Sequence, residues 1–342
     1  MATVSYTLHP LLEVKISSDR TRYVKYFDNE YQKIPSIPAA RDAAVIHVTI
    51  AGSFPTPRTG DRYRHLRFKK IFQNQFIIRG LDTNHIEIFF KDNWMAWLYS
   101  KVVTLFLQAQ VLEPIIYHAL LRKNILLMHA AGVSDGRHGF LFPAYGGTGK
   151  TTLTLGLMGE GLEVLGDDLL FVEPDIARVR PYLRPLHIFT YNLNTLRGAT
   201  IPLTIRAKVR AKDILRFALE TVTRQEFLIS TRVHADKLYQ DFRPATAVPY
   251  RKIVFLRNEG AHETVQISPE NIETLSRTIL DSEDLNKSLY QNILDPEEIS
   301  GIQSLELGVI KNVIKNVSAI EFVNTRLLNF HELRDFKEQL LS

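Results

Sequence analysis

The sequence predicts an α/β fold, and three observations carry that expectation. Residues 139–143, Gly-Phe-Leu-Phe-Pro, are a short apolar run bounded by turn residues, the pattern of a buried strand. A glycine-rich loop follows at once, Ala144-Tyr145-Gly146-Gly147-Thr148-Gly149-Lys150-Thr151, and leads into Thr152-Leu153-Thr154-Leu155-Gly156-Leu157-Met158, which reads as the first turns of a helix. Beyond residue 124, strand-like and helical stretches alternate, as they do where helices cover a sheet.

The loop sets the chemistry. It fits the phosphate-binding loop pattern, with Ala144 standing where the first glycine usually does. Glycines let backbone N–H groups curl around a phosphate, and the helix N-terminus adds partial positive charge. Residues Ala144, Tyr145, Gly146, Gly147, Thr148, Gly149, Lys150, Thr151 and Thr152 are therefore candidates for holding a nucleotide. Lys150 would reach the β- and γ-phosphates, and the Thr151 hydroxyl would sit on Mg²⁺. The plainer alternative is a glycine turn that binds nothing. Strand, loop and helix in the right order favour a P-loop nucleotide-binding core.

Three regions follow from the pattern along the chain. Residues 1–93 look β-rich: 44–50, 75–78 and 85–90 carry β-branched and aromatic residues, with turn signals at 52–60 and 80–84. Short strands with such breaks predict a small antiparallel sheet. Residues 94–124 read as a helical connector, with Pro114 starting or kinking its second half. Residues 125–342 make the α/β part. There, 125–133 reads as one buried strand and 162–165 and 169–172 as strands around Gly166-Asp167-Asp168. Residues 251–256 are a further strand, and 327–341 an amphipathic helix.

Composition narrows the classes. The 342 residues are 45% hydrophobic and 23% charged, ordinary for a globular protein. With no cysteine, disulfides, thiolate catalysis and cysteine-bound zinc are excluded. The N-terminus lacks a secretory signal pattern, so a cytoplasmic location is expected. The most apolar window, 102–121, contains Gln108, Gln110, Glu113, Pro114 and His118, which points to an interior helix rather than a membrane span. The net charge of +5 is modest. A basic run at 62–70 reads as a strand with a solvated face; an acidic protein or peptide is a better partner for it than nucleic acid, which would need stacking aromatics or a recognisable module. A second basic run, 206–212, would face phosphates or water. Nothing in the sequence excludes a homo-oligomer.

Around the loop stand His129 and the pair Asp167-Asp168. Phosphoryl transfer needs a positioned nucleotide, a metal carboxylate and a base for the acceptor. Adjacent acids at the end of an apolar run can supply the last two, pointing to different sides of the backbone. A polar turn and a structural histidine are the plainer readings. Arg184 and Arg232 are candidates for stabilising charge on the transferred group.

The segments Met128-His129-Ala130-Ala131-Gly132-Val133, the loop, and Leu165-Gly166-Asp167-Asp168-Leu169 together resemble the catalytic domain of the HPr kinase/phosphorylase family, serine kinases with a fold related to phosphoenolpyruvate carboxykinase. The match spans roughly residues 125–175. The resemblance implies that Asp167 acts as base toward an acceptor hydroxyl, Asp168 helps bind metal, and His129 lies near the transferred phosphate; the division between the acids could be reversed. The sequence departs from the family at Ala144 and Gly146, and at Thr195, which precedes Leu196-Arg197-Gly198 where the family carries Glu-x-Arg-Gly. Residues 1–93 do not look like the family's N-terminal domain. The chain is thus more similar to the divergent members that modify serine on ribosomal peptides.

The expectation is an ATP- and Mg²⁺-dependent kinase acting on a hydroxyl, serine of a protein or peptide foremost. Two alternatives stand beside it: a nucleotide-responsive binding module without transfer, and an ATPase or small-molecule kinase.

Overall fold

The computed structural model describes residues 1–35, 37–53, 55–68, 72–92, 100–194, 201–223, 230–283, 290–329 and 333–342. The chain is mixed α/β and divides into two compact units. One comprises 1–127 and 283–312, the other 128–282 and 313–342. These boundaries differ from the three-region division read from sequence. The helical connector belongs with the β-rich region, and a segment from far along the chain returns to it.

In the first unit a six-stranded sheet runs in the order Ala2–His9, Leu12–Ser18, Ala44–Ala51, His85–Lys91, Phe72–Arg79, Arg62–Phe68. The expected antiparallel sheet is therefore corrected to a mixed one. Leu12–Ser18 pairs parallel to Ala44–Ala51, and Ala44–Ala51 parallel to His85–Lys91. The reason is the helix Thr21–Tyr31, which carries the chain back across the sheet before Ala44. Alternation is clean on the central strand, where Ala44, Ile46, Val48 and Ile50 are buried and their neighbours only half-buried. Of the basic run, Arg62 pairs with Glu298 and Arg64 with Asp295 at 2.9 Å, while residues 69 and 70 lie outside the described residues.

The apolar stretch forms a helix over Ser100–Leu121, and 72% of its most apolar window is buried inside the protein. It is long and apolar enough to cross a membrane by length and composition, but Gln108, Gln110 and Glu113 find polar partners within the unit. Gln108 donates to Glu113 at 2.9 Å and accepts from the Tyr26 hydroxyl at 2.5 Å. Pro114 has no N–H to give, and the turn before it, Leu107–Leu112, widens to a π-helix, with the Glu113 N–H reaching the Gln108 carbonyl.

In the second unit, neighbouring strands run Glu163–Gly166, Ala130–Ser134, Gly139–Pro143, Val248–Arg257. The last is long enough to pair on its far side with both Arg178–Arg180 and Ala319–Asn324. Gly139–Pro143, Val248–Arg257 and Ala319–Asn324 are parallel. All five residues of Gly139–Pro143 are buried, as its apolar run requires. The helix Lys150–Gly159 follows the glycine loop and is buried on two sides. Leu153 and Leu157 pack with Phe140, Phe142, Val254 and Phe336, while Leu155 and Met158 pack with Leu186, Ile188 and Val209. Burying each such leucine stabilises by roughly 2 kcal/mol. The single strand expected over 125–133 is broken at His129 into Leu126–Met128 and Ala130–Ser134. The C-terminal helix is shorter than expected, Arg334–Leu341, with residues 330–332 outside the description.

Candidate active site

The loop, residues 144–149, leaves the C-terminal end of the strand Gly139–Pro143 and enters the helix Lys150–Gly159. Gly147 and Gly149 have φ of +75° and +95°, a left-handed backbone that glycine adopts without cost. A Cβ added at Gly146 or Gly147 would meet nothing within 4 Å, so the loop borders open space. Tyr145, Gly146 and Gly147 are exposed, and the Thr148 hydroxyl donates to the Tyr145 carbonyl at 2.9 Å, closing the turn. No side chain caps the helix start. Its N-terminal amides therefore keep their dipole directed outward.

Five predicted side chains converge at this helix end. Lys150 folds back over the loop, its Nζ donating to the Ala144 carbonyl at 2.7 Å and standing 3.3 Å from His129 Nε2. The same His129 nitrogen lies 3.2 Å from Asp168 Oδ1. The other, Nδ1, is 3.3 Å from the Ser282 carbonyl, which can only accept, so Nδ1 carries a proton. The break in the strand at His129 directs its ring here. The Thr151 hydroxyl donates to Asp167 Oδ2 at 3.0 Å. Thr152 points away from the loop: it is buried, and accepts from Asn192 Nδ2 at 3.0 Å.

The two acids differ in environment. Asp167 is pushed up to about 7, first by burial and next by the charge of Asp168; Thr151, Lys150 and His129 oppose the rise. Its Oδ1 is buried with no hydrogen-bond partner among the described residues. Burial works to raise Asp168 as well, but the hydrogen bond and charge of His129, with Arg184 and His187, hold it well below the usual carboxylate range. Because its side chain is 54% exposed, solvent screens part of that effect. One acid of the pair thus titrates near neutrality while the other stays ionised, the separation that acid–base roles require.

A depression beside the acids is lined by Asp167, Asp168, Leu169, Tyr182, Arg184, Pro185 and His187. Arg184 thus stands with the acids, as its candidacy requires. Arg232 lies opposite His187 in the two-stranded ladder of Leu186–Ile188 with Thr231–Val233. His187 accepts from or donates to Ser230 Oγ at 2.8 Å and is depressed to about 4, first by burial and then by Arg232, so it is neutral at pH 7. Sequence reading missed Tyr182, His187 and Asn192. Their only signal was proximity in sequence to Arg184, and a ladder of three residue pairs is too short to show a period. Residues 195–198, where the partial family signature lies, are outside the described residues. Among the described residues no group of three His, Asp or Glu is arranged to hold a metal.

Gly166 sets the turn that carries both acids. A Cβ there would lie 2.7 Å from the Leu169 carbonyl oxygen and 2.8 Å from Leu170 Cδ2. Gly166→Ala is expected to cost about 2 kcal/mol of stability, read as a lower urea midpoint. An unchanged midpoint would mean the turn gives way freely.

No protein-family model matches this chain, and no curated protein matches it.

Proposed function

We propose that the chain is an ATP-dependent kinase that transfers the γ-phosphoryl group to a hydroxyl, serine of a protein or peptide being the acceptor. The observation that carries the reading is the convergence of Lys150, Thr151, His129, Asp167 and Asp168 on one helix N-terminus. The resemblance to the HPr kinase/phosphorylase family rests on those same residues and supports a phosphate loop of that type.

The residues suit a nucleotide with Mg²⁺. The open space at Gly146 and Gly147 leaves backbone amides approachable, and the buried Asp167 Oδ1 has no hydrogen-bond partner among the described residues. Mg²⁺ takes few protein ligands and keeps water and phosphate oxygens, so Thr151 and Asp168 suffice to hold it. When bound, the ion would neutralise charge on the phosphate oxygens.

In this reading Lys150 exchanges the Ala144 carbonyl for phosphate oxygens. Asp167, ionised above about pH 7, accepts the proton of the acceptor hydroxyl as that oxygen attacks. Asp168 stays anionic and keeps His129 oriented beside Lys150. Arg184 adds positive charge on the acceptor side of the acids.

Incubation of the purified chain with γ-labelled ATP, Mg²⁺ and serine-containing peptides tests the proposal. Label on peptide serine is the expected result. Bound nucleotide without turnover would leave a binding module instead, and release of labelled phosphate regardless of peptide would leave an ATPase.

A further inference from the structure

The acids and the loop define a direction. Asp167 and Asp168 follow the strand Glu163–Gly166, which lies beyond Ala130–Ser134 on one flank of the loop-bearing strand Gly139–Pro143. On the opposite flank runs Val248–Arg257, parallel to it, with Ala144 bridged to Leu256. A nucleotide whose terminal phosphate faces the acids must extend its other end toward that second flank. There the structure has an open pocket, built by Tyr145, Gly146 and Thr148 of the loop and by the turn Arg257, Asn258, Glu259 and Gly260.

We infer that this pocket is the subsite for the base of the nucleotide, a purine stacked on the Tyr145 ring. The inference rests on the nucleotide reading above and adds to it the residues that would distinguish a nucleotide from a bare polyphosphate. Tyr145 meets Phe255 edge-on, at 5.8 Å between ring centres and 76° between planes, and is still 46% exposed. The contact holds the ring in place while leaving aromatic surface for a base. The larger π-face of a purine covers more of that surface than a pyrimidine does.

The opposite wall is held rigidly. Arg257 pairs with Glu263 at 3.0 Å, donates to the Ala261 carbonyl, and lies over the Phe322 ring at 5.1 Å. Gly260, at φ +80°, has its carbonyl held by Asn324 Nδ2 at 2.7 Å. Asn258 Oδ1 accepts from the Thr325 hydroxyl at 3.2 Å, which leaves its amide N–H groups to donate to a ring nitrogen. The exposed Glu259 carboxylate can accept from an exocyclic amine.

The test is calorimetric titration of the full chain with ATP, CTP and inorganic tripolyphosphate, each with Mg²⁺. Wild type should bind ATP more tightly than CTP, and CTP more tightly than tripolyphosphate. Tyr145→Ala should weaken ATP about tenfold and leave tripolyphosphate unchanged, while Tyr145→Phe keeps the wild-type order. Asn258→Ala should narrow the margin of ATP over CTP. Tyr145→Ala with wild-type ATP affinity, or with ATP and tripolyphosphate weakened equally, overturns the subsite and leaves the loop reading standing. A wild-type chain that binds none of the three overturns the loop reading, and the subsite with it.

Discussion

Asp167→Asn should abolish phosphoryl transfer, retain nucleotide binding, and make the nucleotide-free protein more stable at pH 8. Loss of a general base costs roughly 10²–10⁴ in rate. The asparagine keeps the shape of the side chain, and its carbonyl oxygen can still accept from the Thr151 hydroxyl. The stability gain follows from linkage. In the folded chain Asp167 is raised to about 7 from an ordinary 3.8, so between about pH 4 and pH 7 the native state binds a proton that the unfolded chain has released. Stability therefore falls as pH rises through that window, and above it the full penalty is present. That penalty is on the order of 4 kcal/mol. Asparagine removes it, so the variant should melt several degrees higher at pH 8 and no higher at pH 4. The same titration should govern the wild-type rate: kcat/KM should climb with pH and level off above about 7. Transfer at the wild-type rate by Asp167→Asn would take the base role away from this residue. Equal melting temperatures at pH 8 would show that the carboxylate is better solvated than its burial indicates.

Lys150→Ala should weaken binding of Mg²⁺-ATP and of tripolyphosphate together and eliminate transfer. The ammonium group now spans the loop to the Ala144 carbonyl and stands beside His129. Removing one preorganised charged donor of this kind costs roughly 10²–10³ in rate, and a charge-assisted bond to phosphate is among the strongest a side chain makes. Folding should suffer less than transfer, because the lysine is only half-buried and its bond to the Ala144 carbonyl is worth roughly 1.5–3 kcal/mol at most. Lys150→Arg is not a rescue: its planar fork cannot occupy the space of a compact ammonium. Unchanged titration curves for Lys150→Ala would contradict the assignment of the loop.

The loop could be read without any structure because its chemistry is local. Glycines at the left-handed positions 147 and 149, the apolar strand ahead and the helix behind are all adjacent in the chain, and backbone geometry there follows from residue type. The same holds for the alternation at 44–51 and the interior character of 100–121, where buried polar residues ruled out an apolar surround. The individual strands Ala2–His9 and Leu12–Ser18 and the helix Thr21–Tyr31 were not read, although Leu12, Val14 and Ile16 alternate with Glu13 and Lys15 as a half-buried strand does. The place of Ala2–His9 follows from its pairing with Leu12–Ser18.

By itself, then, the amino-acid order determined the α/β class, the glycine loop and the residue types gathered near it, since these depend on neighbours a few positions apart. Tertiary structure alone decided that His129 and Asp168, far apart in the chain, would share one contact. It decided too that Asp167 would be the acid that holds its proton near neutrality, and that Tyr145 would face a turn more than a hundred residues on. Pairing of strands distant in sequence brings such groups together, and burial and charge at close range follow from that pairing.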